Sequence, residues 1–212
     1  MQDDRGLKRL LSVSWIYELV QTLVGATKGR RWLAENGWRL RGGEKVVDVG
    51  CGPGYVRDFL PPDIDYIGFD ISEAYIATAG RIYQGKGLFL AGTAATFLAA
   101  PEPRMADADL VICTGLLHHL DDDEVSQALR LAHAVLRPGG RIVCFEPSFL
   151  LHQTRLSRWM LRRDRGRNVR TEAAWKAVVG AVFPDHTSSV ITGLARIPYV
   201  HILIEGRKPA PA

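Results

Sequence analysis

Apolar and polar positions along the chain follow two different periods, and the change between them predicts alternating strands and helices. Seven short apolar runs are predicted as strands, at residues 46–49, 65–72, 88–91, 109–114, 141–147, 188–192 and 199–205. Apolar residues at helical spacing predict helices within residues 7–36, 72–82, 124–136, 149–163 and 171–175. Glycine and proline clusters lie between several of these elements. The pattern predicts an α/β domain.

The first strand leads into a loop with glycine at alternate positions, Gly50, Gly52 and Gly54, and a helix is predicted after it. Glycine lets the backbone bend sharply and approach a ligand closely because it has no Cβ. Strand, glycine loop and helix together bring backbone N–H groups up to a nucleotide-like ligand. The spacing differs from the Gly-x-Gly-x-x-Gly of dinucleotide-binding proteins. Asp48 lies within the apolar run, where a carboxylate is costly unless a cationic or hydrogen-bonding group meets it.

A second carboxylate, Asp70, ends the next predicted strand and lies 22 residues after Asp48. Consecutive parallel strands place their C-terminal ends side by side, and an acid at this point can accept hydrogen bonds from ribose hydroxyls. The alternative is that Asp70 caps the helix over residues 72–82. Ser72 is available for that capping, so ribose binding is the preferred interpretation of Asp70.

Four segments, in this order, resemble the class I S-adenosylmethionine-dependent methyltransferases. They are the glycine loop with its preceding acid, the acidic end of the second strand, the run through Leu116-Leu117-His118-His119-Leu120, and the Arg-Pro-Gly-Gly turn at 137–140 with the fifth strand. The resemblance spans residues 46–147. It implies a Rossmann-like, doubly wound, mostly parallel seven-stranded sheet with an antiparallel last strand and helices on both faces. It also implies S-adenosylmethionine as the cofactor.

The resemblance implies cofactor contacts along the C-terminal edge of the sheet. These contacts are assigned to Asp48, Gly50, Cys51, Gly52, Gly54, Tyr55, Asp70, Ile71, Thr93, Ala94, Thr114 and Gly115. Thr93 departs from the family pattern, because many relatives carry at that position an acid that meets the adenine amino group. The Thr93 hydroxyl or the Ala94 backbone could make a weaker contact.

The candidate catalytic residues are His118, His119 and Glu146. The two histidines follow the fourth strand at the edge where open α/β sheets bind ligands, and imidazole can accept a proton from a hydroxyl or an enol. The alternative is that one histidine packs against the fold or hydrogen-bonds a neighbouring carbonyl. Glu146 ends the fifth strand and is the second candidate for the base. Its alternative role is a salt bridge to an arginine between residues 155 and 170.

The candidate substrate residues are Tyr17, Gln21, Arg163, Arg167, Tyr199 and His201. The first two are four residues apart on a predicted helix and share a face, which either lines the cofactor pocket or faces solvent. The arginine-rich stretch 149–170 is either a solvated helix face or a recognition element for an anionic substrate. Because Trp159 and leucines interleave with the arginines, peripheral membrane contact is a further alternative. Tyr199 and His201, on the predicted last strand, are placed near the substrate as a hypothesis.

Length and composition predict one soluble domain of 212 residues with a net charge of +4. Together with the predicted helices, the resemblance implies an N-terminal helical cap at 1–40 and a helical insertion at 148–180 over the substrate side. Three cysteines without a Cys-x-x-Cys pair predict small buried thiols in a reducing compartment. The sequence shows neither a secretory signal nor an apolar run long enough for a membrane span, so a cytoplasmic location is expected. The acids at 121–124 are expected to start a helix through a capping box and not to bind a metal, so no metal site is predicted.

The function predicted from these features is methyl transfer to an oxygen or carbon of a small acceptor, such as an anionic metabolite or a lipid or glycan precursor. The fourth strand exits as Cys-Thr-Gly-Leu-Leu and not as the Asn-Pro-Pro-Tyr of enzymes that methylate the amino groups of nucleic-acid bases, so no nucleic-acid partner is expected. The alternative is a non-catalytic S-adenosylmethionine-binding regulatory protein. A nicotinamide-dependent oxidoreductase is disfavoured by the glycine spacing. The sequence leaves the oligomeric state open.

Overall fold

The computed structural model describes residues 26–163, 168–194 and 199–210. Among these residues the strands are β1 (Lys45–Val49), β2 (Asp65–Asp70), β3 (Leu88–Ala91), β4 (Ala108–Thr114), β5 (Leu136–Phe149), β6 (Arg170–Thr171), β7 (His186–Ile191) and β8 (His201–Arg207). Seven of them form one sheet in the order β3-β2-β1-β4-β5-β8-β7, and the two-residue β6 pairs with the end of β5. The first five strands are mutually parallel, whereas β8 runs antiparallel to both of its neighbours. The predicted Rossmann-like sheet with an antiparallel last strand is confirmed.

Helices cover both faces of this sheet, as predicted. In the described part of the chain they are α1 (Ala26–Leu33), α2 (Glu73–Ile82), α3 (Ala94–Ala99), α4 (Asp122–Val135), α5 (Arg155–Arg162) and α6 (Glu172–Gly180). One buried apolar cluster joins the sheet to α3, α4 and α6, and a second joins the other face to α1. No helix in the described ranges is long and apolar enough to cross a bilayer.

Several helix starts are encoded locally. Asp121 and Glu124 form the predicted capping box of α4, in which each side chain accepts the backbone N–H of the other residue. Ser72 caps α2 by accepting the N–H of Tyr75. Each of these contacts spans three residues, so it depends on short spacing and not on the rest of the fold. The three cysteines are buried and unpaired with one another, which confirms the prediction of buried thiols.

Two segments differ from the predicted elements. The glycine loop is followed by a 3₁₀ turn over Tyr55–Phe59 and not by an α-helix, because only six residues separate Gly54 from Pro61. The Arg-Pro-Gly-Gly segment is predicted as a turn before the fifth strand, but β5 already begins at Leu136, which pairs with Ala108 at a bulge in the sheet. Neither difference changes which predicted residues lie at the C-terminal edge of the sheet.

Arg57 holds this 3₁₀ turn against the chain that follows it. Its guanidinium is 5 % exposed and donates to the carbonyls of Leu60, Pro61, Pro62 and Lys86 at 2.8–3.3 Å. Each of those carbonyls would lose its partner if the guanidinium were removed, and an unsatisfied acceptor is costly where it is buried, as that of Leu60 is. Arg57 therefore stabilises the connection between the glycine loop and β2.

We expect Arg57→Met to lower the free energy of unfolding by about 2–3 kcal/mol, because methionine keeps the apolar stem and removes all the donors. Equilibrium denaturation in urea measures this change. Arg81→Met on the exposed face of α2 is the matched control and should change stability by less than about 0.5 kcal/mol. Equal stability of the two variants would contradict the role given to Arg57.

Candidate cofactor and active site

The C-terminal ends of β1, β2, β4 and β5 lie side by side. Val49 pairs with both Phe69 and Cys113, and Thr114 pairs with Phe145. The sheet mouth is defined here as residues 50–54, 70–72, 92–94 and 114–119, which directly follow or end these strands and β3. The glycine loop is anchored to this edge, since the N–H groups of Gly50 and Cys51 both donate to the carbonyl of Phe69. The predicted cofactor residues are therefore brought to one edge.

The three glycines of the loop are required for different reasons. All have positive φ, at 71°, 53° and 82° for Gly50, Gly52 and Gly54. A Cβ on Gly50 would lie 2.7 Å from the Leu116 side chain, and one on Gly54 would lie about 3 Å from the ring of Phe89. A Cβ on Gly52 would meet nothing within 4 Å. Gly50 and Gly54 thus permit close packing, whereas Gly52 leaves open space in front of the loop backbone.

Asp70 is fixed by two backbone donors. Its Oδ2 accepts the N–H of Gly52 at 3.1 Å, and its Oδ1 accepts the N–H of Ser72 at 2.8 Å. A carboxylate offers about four lone-pair sites, so two remain for ribose hydroxyls. The adjacent Ile71 is 75 % exposed and presents an apolar surface at the mouth. An oriented acceptor, an exposed apolar side chain and the open space at Gly52 together fit a nucleoside that carries an amino-acid tail.

Thr93 is occupied by a capping role. Its hydroxyl accepts the N–H of Thr96 at 3.2 Å and lies 3.0 Å from the Thr96 hydroxyl, in the capping box that starts α3. A contact from the Thr93 hydroxyl to adenine would compete with that cap, so the backbone of Ala94 is the better candidate. At the end of β4, the buried Thr114 hydroxyl has no hydrogen-bond partner among the described residues. Gly115 follows with φ of 64° and donates to the carbonyl of Phe145.

Asp48 is buried at 2 % exposure, and the Tyr66 hydroxyl donates to its Oδ2 at 2.6 Å. Burial raises the pKa of the Asp48 carboxyl to about 7, against the opposing effects of the Tyr66 hydrogen bond and the positive charge of Arg30. Burial likewise raises the pKa of the Cys51 thiol, so this group remains a neutral thiol that packs behind the loop. The hydrogen-bonding partner that the sequence required for Asp48 is Tyr66.

Arg30 was not predicted as a site residue. It lies on α1 with its guanidinium carbon 5.7 Å from the centroid of the Tyr55 ring, and its charge acts on Asp48. Lys28, Arg30 and Arg31 look alike in sequence, so no signal distinguishes the one that faces the loop. The position of Arg30 suits the carboxylate of an amino-acid tail held by the glycine loop.

The raised pKa of Asp48 predicts a pH-dependent stability difference in the cofactor-free protein. Its folded-state pKa of about 7 exceeds the unfolded value of about 3.9, so this group's stabilising contribution is complete below pH ~4 and is lost as the pH rises through ~7. Asn does not ionise. Relative to wild type, the free energy of unfolding of Asp48→Asn should therefore rise by about 2–4 kcal/mol between pH 4 and pH 8.

Urea denaturation at the two pH values measures this difference. Asp123→Asn on the exposed first turn of α4 is the matched control, since it also removes one carboxylate. A stability difference for Asp48→Asn that stays constant with pH would contradict the assignment. If the Asp48 charge serves a cationic cofactor, the same variant should also bind S-adenosylmethionine more weakly.

Glu146 and His118 form a buried pair three residues before the end of β5. Glu146 Oε2 lies 2.6 Å from His118 Nδ1, and the two residues are 1 % and 6 % exposed. The carboxylate also accepts the backbone N–H groups of Leu116, Leu117 and His118. Glu146 thus organises the 3₁₀ turn that carries both histidines, and its side-chain partner among the described residues is His118 and not one of the described arginines between 155 and 170. His119 is exposed, with its ring centroid 4.1 Å from that of His118.

A second set of contacts holds the same turn from outside. The N–H of Asn168 donates to the carbonyl of His118 at 3.0 Å, and its side-chain amide donates to the carbonyl of Leu120 at 2.8 Å. Arg170 donates to the carbonyl of Leu117 and to Asp122. Sequence reasoning missed Asn168, because an asparagine in a polar loop carries no signal of a partner 48 residues away. The histidine turn is therefore restrained on two sides.

Three of the predicted substrate residues, Arg163, Tyr199 and His201, lie in the described part of the chain. His201 stacks on Phe145, with centroids 4.5 Å apart, and Tyr199 lies against His201. His201 pairs with Pro147, and successive side chains of a strand point to opposite faces, so His201 lies on the other face of the sheet from Glu146. Arg163 stacks over Trp159. Tyr17, Gln21 and Arg167 lie outside the described residues, and their roles stay predictions.

Comparison with known proteins agrees with this geometry. The sequence profile of a family described as a methyltransferase domain matches residues 46–140. A ubiquinone biosynthesis O-methyltransferase of Methylococcus capsulatus is 33 % identical over 103 residues, which cover 47 % of this chain and 42 % of that protein. One from Pseudomonas aeruginosa is 29 % identical over 106 residues, with 47 % and 43 % covered. The chain thus spans less than half the length of these curated relatives.

Solved structures share the fold. Human N-acetylserotonin methyltransferase, solved in complex with S-adenosylmethionine, aligns with a TM-score of 0.60 and 23 % identity over 79 % of this chain and 48 % of that one. An S-adenosylmethionine-dependent methyltransferase of Corynebacterium glutamicum aligns with a TM-score of 0.59 and 17 % identity over 85 % and 88 % of the two chains. The sheet order, the glycine loop with Asp70 and the family match lead to one conclusion: residues 46–140 carry a methyltransferase domain, and the chain is similar to the class I S-adenosylmethionine-dependent methyltransferases in fold and in this segment.

Proposed function

We propose that this protein transfers the methyl group of S-adenosylmethionine to an oxygen or carbon atom of a small acceptor, with His118 as general base. The observation that carries the proposal is the Glu146–His118 pair beside the cofactor-binding edge. The names of the curated relatives, which are O-methyltransferases, favour oxygen as the accepting atom. The acceptor class extends to anionic metabolites and to lipid or glycan precursors, and no nucleic-acid partner is proposed.

The cofactor site is assigned to residues of the sheet mouth. Asp70 would bind the ribose hydroxyls, Ile71 would cover the adenine, and residues 50–54 would hold the amino-acid tail with Arg30 on its carboxylate. The cofactor supplies an electrophilic methyl group on a sulfonium. The protein must then hold the acceptor in line with that group and exclude water, and positioning of this kind can lower a barrier by roughly 7–11 kcal/mol.

Glu146 acts in this proposal as a positioning residue. As a carboxylate it accepts the Nδ1–H of His118, which leaves Nε2 as the basic nitrogen of that imidazole. Nε2 would take the proton from the acceptor hydroxyl or enol while the acceptor atom bonds to the methyl carbon, whose bond to the sulfonium sulfur would break and leave a neutral thioether. His119, which is exposed next to it, is proposed to contact the acceptor. General-base catalysis is worth about 10²–10⁴-fold in rate, so it is the smaller of the two contributions.

Incubation of the protein with methyl-labelled S-adenosylmethionine and a metabolite extract tests the proposal. A labelled small molecule that forms with the wild type and not with His118→Asn supports catalysis. Cofactor binding without any labelled product would favour the alternative, a regulatory protein that binds S-adenosylmethionine and does not react. Isothermal titration with S-adenosylmethionine and with NAD distinguishes the methyltransferase and the regulatory protein from a nicotinamide-dependent enzyme, which would bind NAD.

A further inference from the structure

A cleft outside the sheet mouth lies between α5, α6 and the end of β5. Its volume is about 790 Å³, within the roughly 300–1,000 Å³ of small-molecule sites. Three consecutive apolar residues of the chain line it together with three cationic side chains: Phe149, Leu150, Leu151, Arg158, Arg162 and Lys176. The cleft therefore combines an apolar surface with a concentrated positive charge.

The positive charge of this cleft is largely uncompensated. Among the described residues, Arg158, Arg162 and Lys176 form no ion pair, and the single carboxylate that lines the cleft is Glu172. Arg158 and Arg162 are four residues apart on α5 and share a helix face. Arg158 is half-buried and donates to the carbonyl of Leu150 at 2.9 Å, so one of the three cations is held in position. Fixed guanidinium groups suit phosphate, sulfate and carboxylate.

The apolar part of the cleft is accessible. Leu151 is 87 % exposed, and Leu156 and Trp159 of the adjoining helix are 57 % and 52 % exposed. Adjacent exposed apolar side chains and unpaired cations suit a ligand with both properties. We propose that this cleft binds an anionic amphiphile, in which a phosphate, sulfate or carboxylate group is attached to an alkyl or aryl body. The anion lies among Arg158, Arg162 and Lys176, and the apolar body lies against Leu151.

The cleft is close in the chain to the histidine turn. Phe149 follows Glu146 by three residues in β5, which is roughly 10 Å along a strand. Thr171, on the cleft wall, directly follows Arg170, which donates to the carbonyl of Leu117. Binding in the cleft does not depend on methyl transfer, so the inference can be tested separately from the proposed function.

Decyl phosphate, used below its micelle concentration, is the probe, and isothermal titration is the measurement. Replacing Arg162 and Lys176 together by glutamate should weaken binding of decyl phosphate at least tenfold, since two attractive charges become repulsive. Arg130→Glu on the exposed side of α4 makes the same kind of change away from the cleft and should have no effect. S-adenosylmethionine affinity should be unchanged in all three proteins, which separates this result from failure of the cofactor site. Circular dichroism confirms that each variant is folded.

Leu151→Ser tests the apolar part, because this side chain is too exposed to matter for folding. It should weaken decyl phosphate roughly fivefold and leave binding of inorganic phosphate unchanged. Vesicles of phosphatidylcholine with and without phosphatidylglycerol identify the source of the ligand. If the wild type binds the anionic vesicles and the double variant does not, the ligand is a membrane lipid. If the wild type binds decyl phosphate but not the vesicles, the ligand is a soluble molecule. Equal binding of decyl phosphate by wild type and the double variant overturns the proposal.

Discussion

Gly52→Val is expected to weaken S-adenosylmethionine binding roughly thousand-fold, equivalent to about 4 kcal/mol. Gly52 has φ of 53°, which a β-branched residue adopts only with strain, and its Cβ would project into the open space in front of the loop. The side chain would therefore occupy the volume assigned to the cofactor. Isothermal titration measures the loss, and the wild-type affinity is expected to be roughly micromolar, about −8 kcal/mol.

Gly43→Val is the matched control for this substitution. Gly43 also has positive φ, at 75°, and a Cβ there would likewise meet nothing within 4 Å. It precedes β1 and lies outside the sheet mouth, so the variant has comparable backbone strain without blocking the site. Retained binding in Gly43→Val together with loss in Gly52→Val supports the assignment. Unchanged affinity in Gly52→Val would remove the glycine loop from the cofactor site.

His118→Asn is expected to lower kcat by about 10²–10⁴-fold and to leave the affinity for S-adenosylmethionine unchanged. The asparagine amide can replace Nδ1–H as the donor to Glu146 but has no equivalent of the basic Nε2. The histidine turn should therefore keep its backbone contacts with Glu146 while the base is lost. Labelled methyl transfer to the acceptor found in the extract measures the rate.

The dependence of kcat on pH separates catalysis from folding. In wild type the rate should fall on the acid side, where the imidazole is protonated, and His118→Asn should lack that limb. His119→Asn, which removes the neighbouring histidine, is the control and should keep the acidic limb of the pH profile. Glu146→Gln should lower kcat too, because its amide group would face donors that need an acceptor. A full rate in His118→Asn with an unchanged pH profile would exclude His118 as the base.

Much of the cofactor edge could be predicted from sequence because its determinants are local. The glycine loop, the acid that ends β2 and the capping box of α4 each depend on residues a few positions apart. Asp70 illustrates this: from sequence it either binds ribose or caps the helix that follows, and in the structure Ser72 makes the cap while Asp70 lies oriented beside it. Short spacing is enough to encode such contacts.

From sequence, Glu146 and His118 could be proposed only as separate candidates. They are 28 residues apart, one on β5 and the other in the turn after β4, and their contact requires that β4 and β5 be adjacent and in the observed register. The same holds for Tyr66 and Asp48, which meet because β1 and β2 are neighbours. Sequence periodicity identifies strands but does not give their register, and a shift of one residue would turn each side chain to the other face.

The sequence by itself determined the order of the elements, the glycine loop, the acid that ends β2 and the resemblance to the methyltransferases, since these rest on local spacing and on apolar period. The tertiary structure decided which long-range partners meet: Glu146 with His118, Arg57 with the carbonyl of Lys86, and Arg158 and Arg162 with Lys176 at the cleft. It also separated His201 from Glu146, because Glu146 pairs with Ile202 and successive residues along a strand face alternate sides of the sheet. Those outcomes depend on strand order, register and packing, which are properties of the folded chain as a whole.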